Sequence, residues 1–472
     1  MTMTKSKKTM LTTSARAASR RDVLRTAAAF GGAGLASAAL PSFAALTQSQ
    51  LGYKALVCVF LAGGMDGHDT LIPQDADGYA QWADVREELL ALYERAGDDS
   101  RARGNLRRLG VQAGGRAFGM PRQMGGLADL YTRGRMAVVG NVGPLVAPTT
   151  AEEALGGRVP LPPKLMSHND QQSVWQSLSP EGARSGWGGR MADILASARS
   201  PYTAISVSGN PVFLASPNAA PLFVGTDEVR EVYRNSSDWS HGSTEVPAAL
   251  REHFAAAAGG LNNHLASDYQ NAQRASVSAI NDLAAMANGT EAGEEVRLEG
   301  NALSAQLATV AKLISLRAGT GVSRQVFFVQ MGGFDTHKEQ HRDLPKLQQA
   351  LSDAMASFYR WTEGAGVADA VTTFTASDFG RTLTTNADGT DHGWGNHHLA
   401  VGGAVRGGRI VGTIPEAVEG HGQDFGRGRL VPTLATAQYA ASLGRWFGLS
   451  SGQLADALPG LGRFDERGAE IF

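Results

Sequence analysis

Four short runs of apolar and β-branched residues constrain the fold more than anything else in this 472-residue chain: 55–61, 136–139, 325–329 and 371–375. Each is nearly continuous in its apolarity rather than alternating, the pattern of a strand covered on both faces, as in a parallel sheet. Between the last two, Leu344, Leu347, Leu351, Met355 and Phe358 recur at helical spacing within 344–361. Strand, amphipathic helix and strand make a βαβ unit. A stretch rich in Ala, Leu, Glu and Gln, 247–317, reads as a long helical segment. The charged interval 91–108 reads as helical or solvated. No repeat or long linker divides the chain, which favours one large α/β domain over residues 45–472.

The loops after these strands carry the chemistry. The first strand leads into Gly63-Gly64-Met65-Asp66-Gly67-His68-Asp69-Thr70, the third into Gly332-Gly333-Phe334-Asp335-Thr336-His337, and the fourth into Ser377-Asp378-Phe379-Gly380-Arg381. Ligands of open α/β sheets bind at the carboxyl ends of strands, so three acid-bearing loops are expected on one edge. Beyond them lie Asp388, Asp391, His392, His397 and His398 among glycines. Carboxylates and imidazoles are hard and borderline donors suited to a divalent cation. Asp388, before Gly389, reads as a turn residue. His397 and His398 read as orienting groups rather than ligands. There is no His-Glu-x-x-His, Walker lysine motif or Cys-x-x-Cys.

A hydroxyl near such an ion is the expected nucleophile. Ser167 opens a predicted helix and is the first choice, with Thr70 the weaker one. Ser167 also fits an ordinary helix cap, with Asp170 completing a capping-box-like pattern. Arg381 would offset anionic charge beside the metal.

The first 44 residues read as an export signal. Seven Lys and Arg precede a mild Ala/Gly-rich stretch, and Ser42-Phe43-Ala44 supplies a small-x-small cleavage pattern after Ala44. Ser19-Arg20-Arg21-Asp22-Val23-Leu24 resembles the twin-arginine motif, which implies the twin-arginine translocase as a partner during export. The expected location is periplasmic or extracellular, with no stable membrane span after cleavage. Cleavage removes seven basic residues and one acid, taking the formal charge from −2 to about −8. That argues against nucleic acid as a partner. The single cysteine, Cys58, is expected to be a buried core residue.

The ordered set of motifs resembles the domain of unknown function 1501 family. It comprises 60–67, Ser167 to Gln171, Gly186 to Arg190, Gly332 to His337, Ser377 to Arg381 and Gly389 to Gly393. The resemblance implies a branch of the alkaline phosphatase-like superfamily, alongside sulfatases, with a three-layer α/β/α sandwich on a mainly parallel sheet. It implies metal binding by Asp66, Asp335, His337, Asp378 and His392, zinc first, with manganese, magnesium or calcium as alternatives. Ser167 and Arg381 would be catalytic, and Asp69, Asp391 and His397 would support the ligands from behind. The chain departs from the superfamily at Phe379, where a histidine is usual, in the spacing Asp335-Thr336-His337, and at His68, where the family would carry an apolar residue. The activity implied is hydrolysis of a small anionic phosphate or sulfate ester. The alternatives are a non-catalytic periplasmic binding or assembly protein and a phosphoryl or sulfuryl transferase.

Overall fold

Strand β1 (Lys54–Leu61) is buried along all but its first residue, and its side chains feed two separate cores. Ala55, Val57, Val59 and Leu61 point into one, while Leu56, Cys58 and Phe60 point into the other. That is the period-two alternation of a strand covered on both faces. In this computed structural model the described residues are 52–111, 115–196, 200–218, 220–226 and 264–472, with the isolated positions 249 and 252. The predicted export signal lies outside them. The compact unit that contains the sheet runs from Thr47 to Phe472.

The remaining strands, in chain order, are β2 (Ile72–Pro73), β3 (Arg107–Val111), β4 (Ala117–Met120), β5 (Met136–Gly143), β6 (Ala204–Ser206), β7 (Leu222–Phe223), β8 (Arg324–Met331), β9 (Val371–Ser377), β10 (Arg381–Thr385), β11 (Thr390–His392), β12 (Asn396–Gly402), β13 (Arg409–Val411) and β14 (Leu434–Ala435). The main sheet has the order β13-β5-β12-β9-β1-β8-β6-β7, with β14 also on β5. It is mostly parallel. The exception is β12, antiparallel to both β5 and β9. Two smaller sheets, β2-β4-β3 and the β10-β11 ribbon, lie apart from it.

Helices cover both faces. On the face of Val57 lie α1 (Gly125–Thr132), α4 (His264–Ala287), α5 (Ala302–Ser315) and α6 (Gln340–Gly364); on the face of Phe60 lie α2 (His168–Ser177), α3 (Trp187–Leu195), α7 (Thr436–Phe447) and α8 (Ser451–Ala457). Phe328, Phe213, Trp187 and Phe374 stack against one another on that second face. Truncating one such ring to Ala typically costs about 3–5 kcal/mol.

Two expectations need correction. The helical stretch 247–317 is interrupted within its described part: α4 and α5 are separated by a segment in which Gly289 and Gly293 take left-handed φ of 77° and 90°. Helical propensity continues there, but the backbone turns at glycine. The interval 91–108 is α-helical only to Arg95, as one of its two readings has it, and beyond that it is not simply solvated, because Arg101 is buried against Asp69, with Nε 3.3 Å from Oδ1.

Strand β1 is central between β8 and β9, and its last residue Leu61 is level with both Met331 and Ser377. The loops after them therefore emerge side by side. At Gly63 (φ 112°) an added Cβ would lie 2.4 Å from the Asp335 amide nitrogen, and at Gly64 (φ 85°) it would strike the Phe379 ring at 2.6 Å. Glycine lets the three loops touch.

Among the described residues three imidazoles are buried in this frame: His68, His397 and His398. Burial pushes their pKa down to about 3, about 4 and about 3 respectively. Unfolded histidine binds a proton near pH 6.5, so the unfolded state takes up more protons as pH falls below that value. The stabilisation is complete above about pH 6.5 and is lost progressively towards pH 3 to 4. Denaturant melts between pH 7 and 4 are expected to lose about 1.4 kcal/mol per pH unit for each imidazole that titrates only on unfolding. His398→Phe, which removes one of the three, should flatten that slope.

Candidate functional site

The acid on the loop after β8, Asp335, is where side chains from four elements meet. Arg381 Nη1, from the start of β10, donates to Asp335 Oδ1 at 2.7 Å. His392 Nε2, at the end of β11, lies 3.1 Å from the same oxygen, and His337 Nε2 also lies 3.1 Å from it. His168 Nε2, at the first position of α2, is 3.4 Å from Oδ2. Ligand atoms of His168, Asp335 and His392 lie within 4.8 Å of one another. His337 joins on one side, its Nε2 2.8 Å from His392 Nε2.

Each imidazole is held from behind by its other nitrogen. His168 Nδ1 donates to the buried Asp378 Oδ2 at 2.6 Å, an oxygen that also accepts from Gln172 Nε2 at 3.0 Å. His392 Nδ1 donates to the Met166 carbonyl at 2.8 Å. His337 Nδ1 donates to Asp391 Oδ1 at 3.3 Å, and Asp391 is gripped in turn by Arg427 and Asn386. A carbonyl or ionised carboxylate only accepts, so the proton of each neutral ring sits on Nδ1 and the Nε2 lone pair faces Asp335. Histidine ligands to metals are oriented in this way.

The electrostatics reflect the same arrangement. Burial acts to raise the Asp335 pKa, but the hydrogen bond and charge of Arg381 outweigh it and hold the carboxyl below its usual range. Burial holds His392 below the ordinary histidine value. Where a ring is neutral with its proton on Nδ1, its Nε2 lone pair and the ionised Asp335 carboxylate stand acceptor against acceptor. Arg381 offsets only part of this, and a divalent cation fits the donor set of two or three nitrogens and one oxygen.

The backbone around the cluster is held in uncommon conformations. Lys164 and Met166, just before Ser167, take φ of 44° and 70°; Glu339, two residues after His337, takes 51°; and Arg427, the partner of Asp391, takes 62°. Non-glycine residues in this region cost of order 1 kcal/mol or more each. Here they aim the Met166 carbonyl and the Arg427 guanidinium at site residues.

The predicted site residues divide. Asp335, His337, His392 and Arg381 come together, with Asp391 behind His337. Asp378 is wholly buried, and its oxygens serve His168 and the Gly63 amide, so it anchors a histidine instead of facing the cluster. Asp66 requires correction. Its carboxylate is buried in a fork-to-fork pair with Arg86 (2.6 and 3.1 Å) and accepts from Gln340 Nε2 at 2.8 Å. A guanidinium stands where an ion would, so Asp66 is a structural residue. Asp69 likewise belongs to this buried network, taking bonds from Tyr93 and Arg101. His397 accepts the Asn141 amide at 3.0 Å and does not reach the cluster, and His398 is wholly buried, stacked on Tyr439 with its Nδ1 against Thr375. Arg381 is also spent internally, on Asp335, the Gly63 carbonyl and Thr390, so it positions Asp335. Ser167 holds the N-cap position of α2 without capping it; its Oγ donates to Asp170 Oδ2 at 2.8 Å. Asp388 makes the turn of the ribbon and accepts the Glu339 amide. His168 is the residue that motif reading passed over, although it stands next to Ser167 in the chain.

Residues 53–458 match the family described as Protein of unknown function (DUF1501). The chain belongs to this family. No curated protein matches the chain. Among solved structures it is similar to the crystal structure of Ps i-CgsB in complex with k-i-k-neocarrahexaose, at 10% identity and a TM-score of 0.34, covering 85% of this chain and 74% of that one.

Asp66→Asn leaves the buried Arg86 without its counter-charge and should lower the unfolding free energy by about 3–5 kcal/mol in denaturant melts. The imidazole resonances of His392 and His337 should stay in place in NMR spectra of the folded variant.

Proposed function

We propose that this family member is an exported, metal-dependent hydrolase of phosphate or sulfate esters, on a fold of the alkaline phosphatase-like sandwich type. One observation carries the reading: separate imidazoles, each anchored through Nδ1, aim Nε2 at one ionised carboxylate. His168, Asp335 and His392 would hold a divalent cation, zinc first, with His337 beside it. When bound, such an ion supplies Lewis-acid polarisation of an ester oxygen. Asp378 and Asp391 keep the rings in register. Ser167 would be the nucleophile: as its oxygen bonds to phosphorus or sulfur its proton passes to Asp170, which already accepts that hydroxyl, the ester's alkoxide leaves and takes up that proton, and water then releases phosphate or sulfate and restores the hydroxyl. The mostly parallel sheet with helices on both faces, and the site at its carboxyl edge, support the superfamily reading.

A second reading is a binding or assembly protein that keeps the ion without turnover. The internal commitment of Arg381 favours it, because that guanidinium is taken up by protein acceptors. Elemental analysis of the purified protein, joined to a screen of aryl phosphates and aryl sulfates, separates the two. The hydrolase reading expects about one bound ion, turnover, and loss of both in His392→Ala and His168→Ala. Metal-free protein that stays inactive after addition of zinc, manganese, magnesium or calcium would sink it. Bound metal without turnover selects the second reading.

Export by the twin-arginine route rests on Arg20-Arg21 and the Ala44 pattern. Among the described residues no helix is long and apolar enough to cross a membrane. N-terminal sequencing of the mature protein is expected to begin at Ala45, and replacing both arginines with lysine should leave the precursor uncleaved in the cytoplasm.

A further inference from the structure

A cavity of about 210 Å³ opens at the far end of α2 from His168, between that helix, the chain leaving β5 and the start of α7. From His168 to Leu178 the helix climbs about 15 Å, so this space is distinct from the metal cluster. It lies on the same edge of the sheet, because β5 and β14 run parallel to each other and both end beside it. Its walls are apolar, with Leu145, Val174, Leu178 and Phe464 among them, and among the described residues no acidic side chain lines it.

Ser179 and the C-terminal turn of α2 border the cavity on one side, and three features on the other favour negative charge. The twelve-residue helix α7 begins at the cavity with Ala435 at its N-cap; Gln438 Oε1 accepts the Ala435 amide at 2.8 Å, and the N-cap residue itself offers no capping side chain to the amides of the first turn. The first-turn amides of a helix lack intrahelical partners and carry the positive end of its dipole. Thr436, the first helical residue, lines the cavity; it is wholly buried, and its hydroxyl has no hydrogen-bond partner among the described residues. A buried hydroxyl without a partner is uncommon and costly. Arg463 stands exposed on the rim, steadied by one bond to the Val146 carbonyl.

We propose that this cavity binds a small apolar carboxylate, its head on Thr436 and the α7 amides and its body against the aliphatic and aromatic walls. Size supports one ring with a short substituent, since an engineered cavity of about 150 Å³ accepts benzene. Apolar walls with a few convergent polar groups are the usual make-up of a small-molecule site. The site makes no use of the metal cluster.

Calorimetric titration of the full-length protein with benzoate, benzyl alcohol and inorganic phosphate tests the proposal, with and without prior chelation. Benzoate is expected to bind one to one, with benzyl alcohol and phosphate each weaker by roughly tenfold or more. Thr436→Val should weaken benzoate by a similar factor, Arg463→Gln by several-fold with a shallower salt dependence, and Leu145→Trp should block it by filling the mouth. Should Thr436→Val fail to fold, Leu145→Trp and the chelated protein decide the matter. Absence of saturable benzoate binding, equal binding of benzyl alcohol, or loss of binding on chelation or in His392→Ala would each overturn the proposal; the last two outcomes would assign the heat to apolar partition or to the metal cluster.

Discussion

The level ending of three parallel strands is the constraint on which the site depends. Strand β1 is hydrogen-bonded along its length to β8 on one side and β9 on the other, and Leu61, Met331 and Ser377 finish together. A shift of one strand by a single residue would reverse which side chains face each core. With alternate residues buried on both faces, that register is strongly specified. The loops carrying Gly63, Asp335 and Asp378 are thereby fixed against one another before any of their own contacts form. Gly63 and Gly64 then bring the backbones to within contact distance.

On that edge the chain treats its acids in two ways. Asp66 and Asp69 are buried and each is matched by a buried guanidinium, Arg86 or Arg101. Removing one partner of such a pair is costly because the other charge stays behind, so these pairs hold the first loop in place. Asp335 is half-exposed and meets one guanidinium and several imidazoles. It is the unevenly compensated carboxylate, and its surroundings are arranged to receive positive charge. The difference between a scaffold acid and a site acid lies in what surrounds it.

Much of the fold was legible because it rests on local pattern. The four apolar runs correspond to β1, β5, β8 and β9, and the spacing of Leu344 to Phe358 corresponds to α6. Short elements such as β6, β7, β13 and β14, two or three residues each, were not legible; they are strands only by pairing with longer neighbours. The helix break near Gly289 and Gly293 was visible as glycine but outweighed by the composition around it. In the site, Asp335, His337, His392 and Arg381 were legible from acids and imidazoles after strands. His168 was not, because its signal is a lone histidine on a helix whose N-terminus approaches the cluster only in three dimensions. Asp66 was misleading for the opposite reason. Its motif is intact, but Arg86, twenty residues away in sequence, reaches its carboxylate first.

By itself, the sequence determined that a mostly parallel α/β sheet would form and that metal-ligating residue types would gather at its carboxyl edge. Both come from hydrophobic period and from the position of loops relative to strands. Only the tertiary structure decided which acid faces the imidazoles, which is buried against arginine, and which histidine is held by Asp378. Those outcomes depend on partners distant in sequence, such as Asp378 and His168, whose meeting is set by packing and not by local spacing.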